Sequence, residues 1–130
     1  QAAVLLAKLE IFDDEIAYRQ RVAAEYGRLL GESGIAGAPY VEPHNQSAWA
    51  QYTVRVAERE TVQNRLKQAG VPTTVHYPTP LNKQPAVADP VAHLPLGDAL
   101  AQEVLSLPMH PYLDIATQQR IWQALNRERS

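Results

Sequence analysis

Cysteine is absent from the 130 residues, which excludes disulfide staples, thiolate nucleophiles and cysteine-ligated metals. That absence fits a cytoplasmic protein. A surplus of one charge is lacking too, since 12 basic and 14 acidic side chains leave a net charge near −2. Nothing in that balance draws the chain to nucleic acid or to an anionic membrane surface. No apolar run approaches ~18 residues, so no segment is expected to span a bilayer. The opening QAAVLLAKLE is apolar but has neither the basic start nor the cleavage site of a signal peptide. Glycine-rich phosphate loops are missing as well. Gly31, Gly34 and Gly37 lack the lysine and the following helix that such a loop needs. HExxH, EF-hand and zinc-ligand spacings do not occur.

Proline, by contrast, is plentiful, and all ten prolines lie between Pro39 and Pro111. The middle of the chain is therefore expected to hold strands and shaped loops, with helices at the ends. A hydrophobic content of 45% over this length suffices for the core of one compact domain. The chain starts without Met, inside a helical pattern with no capping residue ahead of it. It is expected to be a piece of something longer.

Apolar residues at Leu5, Leu9, Phe12, Ile16, Ala23, Tyr26 and Leu30 recur at helical spacing and predict one long helix, bent or broken at Asp13-Asp14. Arg19, Arg21 and Arg28 fall mostly off that stripe and read as a solvated face. Gly31, Gly34 and Gly37 should end the helix and open a loop. Residues 47–56 alternate, with Tyr52, Val54 and Val56 on one face and Trp49, Gln51, Thr53 and Arg55 on the other, which predicts a strand. Arg59 to Ala69 reads as a helix with Val62, Leu66 and Ala69 as its stripe and Gly70 as its stop. Val71 to His76 reads as a second strand, giving a β-α-β unit. A helical turn near residues 84–88, a helix over 94–105 carrying Leu96, Leu100 and Val104, and a short strand at 105–107 should follow. The last helix should be capped by Asp114 and bury Ile115, Trp122 and Leu125. The predicted fold class is α+β, a long N-terminal helix and a small sheet packed with helices.

The stretch Val75-His76-Tyr77-Pro78-Thr79-Pro80-Leu81-Asn82-Lys83-Gln84-Pro85 organises the rest. A strand runs into prolines, which remove backbone donors and stop pairing near Pro78. His76 and Tyr77 thus sit where ordered sheet becomes accessible loop. Pattern alone also allows a proline-rich turn with a surface histidine. His76 and His110 each stand at a strand end and can converge on one site. Neither has a carboxylate neighbour in sequence, so a hydrolytic triad is unsupported. His44 lies in a polar loop that explains it adequately. Lys8, Lys67 and Lys83 read as surface lysines, so no complete active site is expected within this chain.

QAAVLLAKLEIFDDEIAYRQRVAAEY, SAWAQYTVRV, the helix ending Ala69-Gly70-Val71-Pro72, VHYPTPLNKQPA and VLSLPMHPYL together resemble, in order and spacing, the DegT/DnrJ/EryC1/StrS aminotransferases. The resemblance spans essentially residues 1–130. It implies the small C-terminal domain of a fold type I aminotransferase. Residues 1–30 would be the helix joining a large upstream domain, and residues 38–130 the α+β body. The full-length parent would use pyridoxal phosphate to pass an amino group from glutamate to a nucleotide-linked keto-sugar. The branch most resembled acts on UDP-2-acetamido-2-deoxy-3-keto-glucuronate in surface polysaccharide (O-antigen) biosynthesis. The family's cofactor lysine lies upstream of Gln1, so this chain is expected to bind no cofactor, to hold no catalytic residue and to be inactive alone. In the family the active site lies between the subunits of a homodimer, and the His-Tyr matching His76 and Tyr77 faces the sugar nucleotide. Lys83 and Gln84 lie near that loop, and the turn holding His110 reads as structural. The residues also allow a free-standing ferredoxin-like α+β ligand-binding or regulatory module.

Overall fold

The computed structural model describes residues 2–33 and 37–126. Helix α1 (Ala2–Leu9) and helix α2 (Phe12–Ser33) open the chain. Strand β1 (Tyr52–Arg55), helix α3 (Arg59–Gln68), a 3-10 turn (Leu81–Lys83), helix α4 (Pro95–Glu103), strand β2 (Val104–Leu107) and helix α5 (Ile115–Asn126) follow. The mixed architecture is the α+β class expected.

The predicted long helix is two helices. The break falls at Glu10-Ile11, two residues before Asp13-Asp14. Asp13, Asp14 and Glu15 instead fill the first turn of α2, where the exposed N–H groups and the positive dipole end favour carboxylates. The stripe also divides. Ala23, Tyr26 and Leu30 are buried, whereas Leu5 and Leu9 of α1, which has no buried residue, and Phe12 at the start of α2 are exposed. α2 runs through Gly31 to Ser33, and Gly34 lies outside the described residues. Gly37 exchanges both backbone hydrogen bonds with Arg55.

β1 and β2 pair antiparallel, with Tyr52 opposite Leu107, Thr53 opposite Ser106 and Val54 opposite Leu105. The second strand predicted over 71–76 shrinks to one antiparallel bridge, Thr74 with Ser106. Pro72 and Pro78 flank it, and neither can donate to a ladder. Since both β1 and the Thr74 segment oppose β2, they run parallel to each other with β2 between them. The first strand is shorter than its alternation suggests, because Trp49 adopts a left-handed φ of 48°. That twist turns the indole toward the core, where it packs 5.4 Å from the Tyr52 ring and donates to Gln20 Oε1 at 2.9 Å. Arg19 is correspondingly no free surface charge, as it donates to the Trp49 carbonyl at 2.8 Å.

The core joins Tyr26 and Leu30 of α2, Tyr52 and Val54 of β1, Val62 and Leu66 of α3, Leu105 and Leu107 of β2, and Ile121 and Leu125 of α5. Gly70 closes the α3 segment at φ +72°, which only glycine adopts freely. Arg65 donates to the carbonyls of Ala124 and Leu125, satisfying the C-terminal end of α5. Of the residues expected on the inner face of α5, Leu125 is buried and Trp122 half-buried, whereas Ile115 is exposed. On α4 the buried residue is Ala101, and Leu96 is exposed.

Asp114 caps α5 as expected, its Oδ1 accepting the Thr117 amide at 2.7 Å. That backbone hydrogen bond, with smaller help from the Thr117 hydroxyl, holds the carboxyl below its usual range. A lowered carboxyl pKa stabilises the fold above the unfolded value of ~3.9, and the contribution fades as pH falls through the lower folded value. Asp114→Asn keeps a capping oxygen but cannot titrate. Its thermal midpoint is therefore expected to depend less on pH than the wild type's between about pH 5 and about pH 2. Parallel pH profiles for the two proteins would contradict this role.

Candidate functional site

Strand alternation sends Leu105 and Leu107 into the core and Ser106 to the other face of β2. Ser106 is nevertheless buried, because the Thr74 bridge and the chain that follows it cover that face. Its backbone exchanges hydrogen bonds with Thr74 at 2.8 and 3.3 Å. Its hydroxyl lies 2.9 Å from Thr53 Oγ1 and 3.0 Å from His76 Nδ1. Three polar side chains from β1, β2 and the 71–76 segment thus form a short hydrogen-bonded row ending at the imidazole.

The His76-Tyr77 peptide is cis, and the two rings meet edge to face at 5.6 Å. Tyr77 is 71% exposed, so its phenol is available to a partner. A hollow of about 300 Å³ is lined by His76, Tyr77, Pro80, Leu81 and Leu100 among others. On the other side His76 also borders a hollow of about 260 Å³, with Gln51, Thr74, Ser106 and Met109. His76 thus borders both hollows, and Tyr77 lines the first of them.

The remaining candidates separate. His110 is exposed and lines neither hollow, so the two histidines do not converge. Lys83 forms an ion pair with Asp98 at 2.8 Å and ties the loop to α4. Gln84 donates to the Thr79 carbonyl at 3.2 Å and braces the loop from within. His44 is exposed. A hollow of about 700 Å³ between α2 and the start of α5 includes neither His76 nor Tyr77. Thr53 and Ser106 escape sequence reasoning. Their only signal is that each takes the outward position of a short strand, and pairing them requires the register.

A pyridoxal cofactor needs a desolvated lysine, and none of the three lysines supplies one. The Lys8 side chain is 64% exposed and that of Lys83 53%, while Lys67 is exposed on α3. The residues of this chain do not fit the cofactor's anchoring role. Among the described residues no cluster of His, Asp and Glu could hold a metal ion, and no helix is long and apolar enough to cross a membrane.

Residues 1–126 match the model of the DegT/DnrJ/EryC1/StrS aminotransferase family. The chain belongs to this family. It is 63% identical over 125 residues to the UDP-2-acetamido-2-deoxy-3-oxo-D-glucuronate aminotransferase of Pseudomonas aeruginosa, covering 96% of this chain and 34% of that protein. It is 41% identical over 116 residues to the erythromycin biosynthesis sensory transduction protein EryC1 of Saccharopolyspora erythraea, covering 87% and 32%. Among solved structures, a DegT DnrJ EryC1 StrS aminotransferase from Brucella abortus superposes with a TM-score of 0.87 at 38% identity, covering 96% and 34%. DesV of S. venezuelae, solved with a ketimine intermediate, superposes at 0.90 with 34% identity, covering 97% and 35%. The chain thus spans about a third of the length of these family members. Its architecture is consistent with their C-terminal domain. The ferredoxin-like alternative needs the four strands of a β-α-β-β-α-β order, whereas among the described residues the sheet has two, extended by the one-residue bridge at Thr74.

Proposed function

We propose that this chain is the substrate-side part of a sugar-nucleotide aminotransferase, with His76 and Tyr77 facing the sugar nucleotide. The parent enzyme passes an amino group from glutamate to UDP-2-acetamido-2-deoxy-3-keto-glucuronate, as a cytoplasmic homodimer serving surface polysaccharide synthesis. The observation that carries the reading is the 63% identity over 125 residues to an aminotransferase named for that substrate. Pyridoxal phosphate and its lysine belong to the part of the parent outside this chain.

The chemistry of the loop suits the substrate. A sugar carboxylate and a diphosphate offer anionic oxygens, which an imidazole N–H can bind in either charge state. A phenol on an exposed ring can stack on a flat group and donate to a polar one. In the full-length enzyme, His76→Ala is expected to raise KM for the sugar nucleotide about tenfold, the loss of one hydrogen bond to a charged group. KM for glutamate should change far less, since glutamate lacks the nucleotide and sugar that the loop would meet. Steady-state kinetics with each substrate varied in turn checks this. Equal rises in the two KM values would sink the sugar-side assignment.

A further inference from the structure

We propose that Ser106, backed by Thr53, is a positioning residue for His76: the hydroxyl pair occupies Nδ1 and leaves Nε2–H as the ring's outward donor. The geometry comes from three segments that are distant in sequence. Thr53 and Ser106 are directly opposite in the β1–β2 ladder, and Thr74 fixes the third segment to the same residue of β2. Ser106 is 5% exposed and lies within hydrogen-bond distance of both partners, at 2.9 and 3.0 Å.

The direction of the row follows from counting protons. A serine hydroxyl has one proton, so Ser106 donates to one neighbour and accepts from the other. If it donates to Nδ1, it accepts from Thr53, and both hydroxyl protons are used inside the row. In the reverse direction the Thr53 proton needs an acceptor elsewhere, whereas the hydrogen bond found for its Oγ1 among the described residues is the one to Ser106. The first arrangement leaves no hydroxyl proton idle in this half-buried place, where an unmade hydrogen bond is costly. It puts the neutral imidazole in the Nε2–H tautomer. When the ring gains a proton, both hydroxyls rotate: Nδ1–H donates to Ser106 and Ser106 donates to Thr53. Nε2 then carries a proton in either charge state, and His76 presents a donor throughout. The ligand classes matched are carboxylate, phosphate and carbonyl oxygens. A bare imidazole acceptor at that point would repel them.

The functional consequence rests on the sugar-side reading of His76, but the tautomer does not. Nitrogen NMR of the isotope-labelled chain in alkaline buffer, recorded on the neutral ring, reads the tautomer directly. The wild type should show His76 protonated at Nε2. Ser106→Ala should shift both ring nitrogens toward the average of two exchanging tautomers, and Ser106→Thr, which keeps the hydroxyl, should restore the wild-type pattern. Amide spectra would confirm that the sheet is intact. A wild-type Nδ1–H tautomer, or identical ring signals in the wild type and Ser106→Ala, would overturn the proposal. In the full-length enzyme Ser106→Ala should raise KM for the sugar nucleotide roughly fivefold with little change in kcat. If His76→Ala leaves that KM untouched while the wild-type ring is Nε2–H, the sugar-side reading falls and the positioning role stands. If His76→Ala raises that KM while the wild-type ring is a mixture of tautomers, the positioning role falls and the sugar-side reading stands.

Discussion

Leu66→Ala is expected to destabilise the chain by about 2–5 kcal/mol, the range for emptying a fully enclosed leucine site. Leu66 is 0% exposed and belongs to the core that α3 shares with β2 and α5. Its carbonyl accepts the Val71 amide at 2.8 Å, which anchors the turn at Gly70 just after the helix. The backbone of that turn holds the neighbouring chain in place, so the cavity cannot collapse freely. A domain of this size has about 5–15 kcal/mol in total, so the loss is a large share of it. Urea unfolding followed by circular dichroism should show a lower midpoint with an unchanged slope. Leu5→Ala is the control. Leu5 is 63% exposed on a helix with no buried residue, so its removal should fall within about 0.5 kcal/mol. Equal midpoint shifts for the two variants would mean that α1 carries as much packing as α3.

That contrast marks where the sequence is readable and where it is not. Periodicity locates the bodies of α2, α3, α4 and α5, because an apolar stripe needs only local spacing, but it runs α1 into α2 and puts the turn at Leu81–Lys83 a few residues late. It cannot say which part of a stripe has a partner. Leu5, Leu9 and Phe12 continue the pattern of Tyr26 and Leu30, yet they stand exposed among the described residues. Caps and stops are legible for the same local reason, as with Asp114 before α5 and Gly70 after α3. The failures lie where distant segments decide the outcome. Trp49 continues the alternation of β1, but α2 captures its carbonyl and its indole and turns it out of the strand. Val71 to His76 has strand-like residues, but its prolines leave room for one bridge. The candidate site divides along the same line. His76 and Tyr77 stand out because a strand runs into prolines. Ser106 and Thr53 do not, because their meeting depends on a register linking residues 53 positions apart.

Tyr26→Phe is expected to weaken the chain by about 1–3 kcal/mol at neutral pH and to flatten its loss of stability in alkali. The phenol is 1% exposed and donates to the Pro108 carbonyl at 2.9 Å. Pro108 follows β2 directly and lies two residues beyond Ser106, so this bond pins α2 to the end of the strand that carries the polar row. Phenylalanine keeps the ring but leaves a carbonyl without its partner, and the cost is that group's desolvation. Burial pushes the Tyr26 phenol well above its ordinary range, with a smaller push from neighbouring Tyr52, whose own phenol burial raises to about 12. The rings stack at 4.9 Å, so ionising either would place a charge in the core. A raised phenol pKa contributes stability that is fully present below the unfolded value of ~10 and is lost as pH rises through the folded values. Wild-type stability should therefore fall steeply from about pH 10 upward, and Tyr26→Phe, with one buried phenol fewer, should fall less steeply. Chemical denaturation at a series of pH values from neutral to strongly alkaline reads both effects. Unchanged stability at neutral pH together with an unchanged alkaline slope would show that the Tyr26 hydroxyl holds nothing at the end of β2.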